Sequence, residues 1–421
     1  MNGGDTLSAA LDKLTQELGA CPKPARRRGA VRPIASEGAL TMRIVEHDGV
    51  LQVDDSPQFV PTGPRRRGAQ GISSPGILVW ERVLAKLDHS QVTDWLESLD
   101  RKLTPNQGLR RWQDGNLEST KDHRPSDEGR ILLLVHGTFS NTENILAGIA
   151  KNPEGRSFLD WMNTRYDQVI TFDHPTLSVS PMLNARALAL HFRESKAAVD
   201  VVCHSRGGLV ARWWLEAFDR GPANRRRAVF VGSPLAGTGL ASPPNIKHSL
   251  SLLSNIANVL GAASAGLPFL TVLTGVFRII SSVTKIASKT PAIDAAIALL
   301  PGMAAQSRVG NASELLSLRS AAVEWRSRYF AVRSNFESEK PGWKFWRYFR
   351  RPGGRLKDLA ASFVFDGEND LVVDSESMIE LADTARLGDD QIFDFKSTDR
   401  VHHTNYFEQP ETLSFIRKML R

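Results

Sequence analysis

Sulfur, leader segments and metal-ligand spacings are what this chain lacks most clearly. Two cysteines, Cys21 and Cys203, occur in 421 residues, so no disulfide framework holds the fold. The adjacent His402-His403 pair lacks the further ligands of a zinc site, and neither a metal nor a cofactor is expected. The first residues, Met1-Asn2-Gly3-Gly4-Asp5-Thr6-Leu7, have neither the basic nor the apolar stretch of a secretory leader. The expected location is cytoplasmic, compatible with peripheral membrane association or with export that needs no leader. No internal repeat is present. Charge of one sign is also scarce: 53 Lys and Arg against 46 Asp and Glu leave a net charge of +7. That excess is too small to point to nucleic acid, and the Arg26-Arg27-Arg28 and Arg65-Arg66-Arg67 triplets lie among Pro, Gly and Ser, as in solvated loops. With 41% hydrophobic and 24% charged residues, collagen-like, coiled-coil and wholly disordered chains are excluded.

One long apolar stretch exists. Residues 249–277 contain no Asp, Glu, Lys or Arg, long enough to cross a bilayer, yet Ser254, Asn255, Asn258, Gly261, Ser264, Gly266 and Pro268 interrupt it. A lid or a buried helical hairpin fits this composition better than a spanning helix.

The first 128 residues read as an N-terminal extension, partly loop. Within it, residues 41–53 carry a strand pattern around a His47-Asp48-Gly49 turn. Residues 77–103 predict a helix, with Leu78, Trp80, Val83, Leu84 and Leu87, then Trp95 and Leu99, at three- and four-residue spacings. From Gly129 onward, strands and helices alternate. The run Ile131-Leu132-Leu133-Leu134-Val135 has the continuous apolar character of a strand buried on both faces. Further strands are predicted near 169–172, 199–203, 229–231, 329–332 and 362–365. Helices are predicted at 157–166, 181–195, 207–218 and 376–385, with a last one at 410–420. Repeated strand–helix units imply an α/β class with a mostly parallel central sheet and helices on both faces.

The chemistry concentrates in Cys203-His204-Ser205-Arg206-Gly207-Gly208. A buried strand runs into a serine flanked by small residues and then into a helix. That turn lifts the hydroxyl above the sheet at the positive end of the helix. Upstream, His136-Gly137-Thr138 ends the first strong strand; the amide of Thr138 and that of Arg206 are the expected oxyanion donors, and His136 has a structural role. Downstream, Phe365-Asp366-Gly367-Glu368-Asn369-Asp370 leads into Leu371-Val372-Val373-Asp374. Asp370 is the expected orienting acid, with Asp366 and Asp374 as alternatives. Either His402 or His403 can serve as the base.

Together these motifs resemble the α/β-hydrolase superfamily. Phe230-Val231-Gly232-Ser233-Pro234-Leu235-Ala236-Gly237-Thr238 is similar to a Gly-Thr-Pro-x-x-Gly-Thr stretch of its lipase and acyltransferase branch, which includes lecithin–cholesterol acyltransferase and GPI-inositol-deacylase type enzymes. The resemblance covers residues 129–421. It implies a base seven residues before the Pro of Gln409-Pro410-Glu411, which selects His403 over His402. It also implies a helical cap inserted at about 241–303, where Leu253, Leu260, Phe269 and Phe277 would line an acyl-chain site. The expected activity is that of a serine hydrolase cleaving a carboxylic ester of a lipid or other acyl-chain compound through Ser205, His403 and Asp370. Thioester, amide or acyl-transfer chemistry by the same triad is the alternative; a non-catalytic membrane or protein interaction module is a third. Peripheral membrane contact is expected through the cap or through residues 343–351, where Trp343, Phe345, Trp346, Tyr348 and Phe349 alternate with Lys344, Arg347, Arg350 and Arg351.

Overall fold

The computed structural model describes residues 40–54, 77–84, 89–118, 124–219, 221, 225–241, 246–259, 301–308, 312–320, 326–340, 342–350, 364–365 and 367–421. The chain begins with β1 (Leu40–His47), β2 (Val50–Asp54), β3 (Ile77–Leu84), α1 (His89–Leu103), β4 (Gly108–Gln113) and β5 (Asn116–Glu118). It continues through β6 (Arg130–Val135), α2 (Thr142–Ile149), α3 (Pro153–Arg165), β7 (Gln168–Asp173), α4 (Pro181–Phe192), β8 (Ala198–His204) and α5 (Gly207–Trp213). Next come β9 (Arg226–Val231), α6 (Ile246–Val259), α7 (Pro301–Ala304), α8 (Ser313–Arg319), β10 (Tyr329–Phe336) and α9 (Trp346–Phe349). The last elements are β11 (Glu380–Ala382), β12 (Ala385–Arg386), β13 (Ile392–Thr398) and α10 (Pro410–Met419). Contacts divide the chain into two compact units: residues 1–95, 243–299 and 339–364, and residues 96–242, 300–338 and 365–421.

The larger unit is of the α/β class, a mostly parallel central sheet with helices packed on both faces. Its eight-stranded sheet runs β13-β10-β9-β8-β6-β7-β4-β5, parallel from β13 to β7 and antiparallel at β4 and β5. Successive residues of each central strand bury on opposite faces. Ile131, Leu133, Val135, Val199, Val201 and Cys203 meet Ala185, Leu188 and Phe192 of α4 and Val210 of α5. Leu132, Leu134, Val202, Val229 and Val231 meet Ile145, Leu146 and Ile149 of α2, Phe158 and Met162 of α3, and Leu413 and Ile416 of α10. Helix starts follow the residues present. Asn141, Asn152 and Ser180 cap α2, α3 and α4 by accepting from an amide three residues on, and proline opens α3, α4 and α10.

The strand order fixes where a site can form. From β6 the chain passes to β7 on one side, then returns to β8 on the other. Loops leaving β6 and β8 therefore part at their carboxyl ends and open a crevice. Thr138 follows β6 and Ser205 follows β8.

The smaller unit has a three-stranded antiparallel sheet, β2-β1-β3. Asp48 and Gly49, at φ 49° and 82°, form the tight turn expected of the His47-Asp48-Gly49 sequence. Residues 77–84, predicted as helix, instead form β3 and pair with β1, Trp80 opposite Ile44. The run Ile77-Leu78-Val79-Trp80 suits a pleated, half-buried strand, and pairing overrides a three- and four-residue spacing that strand residues also satisfy. The helix starts only at His89. Likewise 376–385, predicted as helix, holds turns and the short β11–β12 pair.

Helix α6 lies along the outer edge of β2. Asn255 Oδ1 accepts from Leu51 N at 3.0 Å, its Nδ2 donates to Leu51 O at 2.8 Å, and Ser251 Oγ accepts from Val53 N at 2.9 Å. Four helical residues rise about 6 Å and two strand residues about 6.7 Å, so the i, i+4 pair matches the i, i+2 spacing. Asn255→Ala leaves both Leu51 backbone groups without these partners. It is expected to destabilise the small sheet by about 1–3 kcal/mol, and amide hydrogen exchange at Leu51 checks this: unchanged protection refutes the edge role of α6.

Candidate active site

Ser205 sits where β8 turns into α5 with φ 52°, a left-handed conformation that a serine adopts only under constraint. The turn is secured by Ser205 N donating to Val231 O of β9 at 2.9 Å and by Gly208 N donating to Ser205 O at 2.9 Å. A Cβ on Gly207 would lie 2.5 Å from Val135 O, and one on Gly137 would lie 2.7 Å from the Ser205 Cβ. The first glycine lets α5 close on β6; the second lets the loop after β6 pass beside the serine. Thr138, one residue on, is thereby brought to the Ser205 turn. The Arg206 N–H belongs to the opening of α5, where amides have no intrahelical partner.

The expected acid and base lie together although 33 residues apart in sequence: His403 Nδ1 lies 2.8 Å from Asp370 Oδ2, and His403 N donates to Asp370 O at 3.0 Å. Asp370 is fully buried. Its Oδ1 accepts from Val372 N at 3.0 Å and Val373 N at 2.8 Å, and its Oδ2 also accepts from the Tyr406 hydroxyl at 3.0 Å. The two alternatives are placed differently. Asp374 is engaged by Arg308 at 2.7 Å, and Asp366 lies outside the described residues. The His402 ring turns to Thr404 Oγ1 at 3.1 Å and edge-on to Phe336.

His204, beside the serine, has a role that no spacing in the sequence predicts. Its Nε2 is 2.9 Å from His403 O, which ties the end of β8 to the loop that carries the base. Its position inside the Ser205 motif was the only available signal. His136 is fully buried; it uses Nδ1 on its neighbour's carbonyl, Gly137 O, at 2.9 Å and accepts from His174 N at Nε2 at 3.0 Å. Burial holds it below the ordinary histidine value. Both nitrogens are committed, in keeping with its expected structural role.

A second network supports the loop after β6. Gln306 Nε2 donates to Thr138 Oγ1 at 3.2 Å and to Gly302 O at 2.7 Å. The buried Arg206 guanidinium donates from Nε to Gly302 O at 3.3 Å and from Nη2 to Val179 O at 2.5 Å. Burial, offset in part by Asp100 and Glu314, pushes the Arg206 guanidinium down to about 10, so it stays charged at neutral pH. Asp100, at the end of α1, accepts from Thr176 N at 2.7 Å, Leu177 N at 3.0 Å and Ser178 N at 2.7 Å, anchoring the loop that meets Arg206.

The four expected acyl-chain residues are not assembled into a site by the described structure. Leu253 lies half-buried on α6 of the smaller unit, and Leu260, Phe269 and Phe277 lie outside the described residues. Among the described residues no helix is long and apolar enough to cross a membrane. No group of three metal-binding side chains is gathered among them either.

Residues 101–421 match the model of a family described as a domain of unknown function, DUF7379. No curated protein matches the chain in sequence. Among solved structures, the mature lipase BlEst2 of Bacillus licheniformis is 16% identical with a TM-score of 0.38, covering 71% of this chain and 94% of that one. Lipase 1 from Pelosinus fermentans is 13% identical with a TM-score of 0.40, covering 68% and 98%. The phospholipase PlaB from Legionella pneumophila is 12% identical with a TM-score of 0.34, covering 59% of this chain and 45% of that one.

The buried histidines give the fold an acid sensitivity with a definite sign. Burial lowers His204 to about 3 and His402 to about 4, whereas the unfolded chain protonates near 6.5. The unfolded state therefore binds more protons at acid pH. Stability is complete above about 6.5 and is lost as pH falls toward those folded values. Denaturant midpoints measured from pH 7.5 to 4.5 should fall, and less steeply in His204→Gln. Parallel curves for the two proteins exclude the His204 contribution.

Proposed function

The chain belongs to the DUF7379 family, and we propose that this member is a serine hydrolase cleaving carboxylic esters, of lipids or other acyl-chain compounds. The observation that carries the reading is the pairing of His403 with the buried Asp370, beside a serine held at φ 52° on a strand-to-helix turn. With Nδ1–H donated to Asp370, His403 keeps the Nε2 lone pair to accept a proton. In the proposed reaction, Nε2 takes the Ser205 hydroxyl proton as Oγ bonds to the ester carbonyl carbon. The amides of Thr138 and Arg206 receive the oxyanion. Imidazolium, stabilised by Asp370, then protonates the leaving alcohol as its bond to carbon breaks. Water activated by His403 releases the acid from the acyl-enzyme and restores the serine.

Fluorophosphonate labelling, with hydrolysis of short- and long-chain p-nitrophenyl esters, tests this. Ser205→Ala should abolish labelling and lower turnover at least about 10³-fold, as should His403→Ala, with His402→Ala retaining most activity. Equal labelling of wild type and Ser205→Ala removes the nucleophile assignment. Labelling without ester hydrolysis transfers the reading to thioester, amide or transfer chemistry.

The same reading includes a peripheral contact with an anionic lipid surface. Phe345 and Phe349 are buried anchors, Tyr348 is 39% exposed, and Arg347 and Arg350 lie over the Trp346 ring at 5.7 and 5.4 Å. Basic groups carried on interfacial aromatics suit a lipid headgroup layer. Flotation with vesicles containing phosphatidylglycerol, but not with phosphatidylcholine alone, is expected, and Arg347→Glu with Arg350→Glu should abolish it. Equal flotation of wild type and the double variant removes this contact.

A further inference from the structure

We propose, resting on the triad reading above, that Tyr406 is a positioning residue that sets the pH at which His403 becomes a competent base, acting through the carboxylate oxygen that they share. Asp370 Oδ2 receives His403 Nδ1 at 2.8 Å and the Tyr406 hydroxyl at 3.0 Å. Oδ1 is taken by the amides of Val372 and Val373. Among the described residues no lysine or arginine side chain bonds this carboxylate, so its charge is balanced by these four donors alone.

The tyrosine is itself held from behind. Ser334 Oγ, on β10, lies 2.8 Å from the Tyr406 hydroxyl and 3.4 Å from Val401 O. With the phenol proton on Asp370, the serine donates into the phenol oxygen, and a chain Ser334→Tyr406→Asp370 results. Burial and the nearby Asp370 raise the Tyr406 phenol well above its ordinary value, so it remains a donor throughout the working range. Room for the contact comes from Gly232 at the end of β9, φ 57°. A Cβ there would stand 2.8 Å from the Tyr406 ring and 3.2 Å from Asp370 Oδ2. The end of β9 and the segment carrying His403 and Tyr406 thus meet at one oxygen, with Ser334 of β10 behind the phenol.

Two donors on Oδ2 divide its negative charge. Removing the phenol concentrates that charge on His403, which favours imidazolium and keeps the base protonated to higher pH. Other titratable groups around the base do not mimic this shift. His204 of β8 faces His403 with rings 4.8 Å apart, and burial holds it at about 3. His402 is held at about 4, and Lys151, which reaches it electrostatically, pairs with Glu408. Neither histidine changes charge between about pH 5 and 8.

The test is the second-order rate of fluorophosphonate labelling of the full chain as a function of pH, which needs no knowledge of the natural substrate. Tyr406→Phe should move the acid limb upward by about half to one pH unit with little change of the plateau. One unit below the wild-type midpoint its rate should be about three- to tenfold lower. Ser334→Ala, which weakens the same chain without touching the acid, should move the limb in the same direction by less. A limb that stays in place overturns the proposal, including where the plateau falls at every pH, since that is the mark of a packing role. If Tyr406→Phe does not fold, the Ser334→Ala limb decides. Undiminished labelling of Ser205→Ala would instead remove the triad reading itself, an outcome separate from a fixed limb in a protein whose serine is labelled.

Discussion

A carboxylate with no exposed surface, and with no Lys or Arg bonded to it among the described residues, has to be met by donors on every side, or the fold expels it. Asp370 satisfies that demand from three directions. Its own loop folds back so that two amides point inward, the loop before α10 presents the His403 imidazole, and the Tyr406 hydroxyl arrives from three residues further along. Two donors belong to the loop of Asp370 itself and two to the segment before α10, so the need to solvate one charge fixes those two segments against each other. A carboxylate held this rigidly costs little reorganisation when charge moves beside it.

The opposite side of the serine is organised by the same principle with the sign reversed. Arg206 is a buried cation whose described partners are main-chain carbonyls rather than a carboxylate. Its neighbours include Gly302 and, through it, Gln306, both on the first stretch of the larger unit after the excursion into the smaller one. That stretch is bonded to Thr138. The loop after β6 is thus steadied by residues that follow a long insertion, while Asp100, which precedes the sheet's central strands, anchors the loop after β7.

Much of this was legible in the residues. The alternation of apolar strands with amphipathic helices gave the fold class, because a strand buried on both faces must be apolar throughout. The small residues around Ser205 marked the turn, since a side chain at Gly207 meets Val135 O. What escaped reading depended on pairing. The stretch 77–84 has spacings that a helix also shows, and only its partner β1 decides the matter. Tyr406, His204 and Gln306 are ordinary residues until the chain brings a carboxylate, a carbonyl or a threonine within 3.2 Å of them. Nothing in their spacing announces that.

The stitching of α6 to β2 has a consequence in time. The two backbone groups of Leu51 find their side-chain partner 204 residues later in the chain. At translation rates of about 5–20 residues per second, the β1–β2 hairpin leaves the ribosome roughly 10–40 s before Asn255 is made. Through that interval the outer edge of β2 lacks its cover and can pair with any passing strand. For the nascent polypeptide, that edge stays open to mispairing until α6 is made.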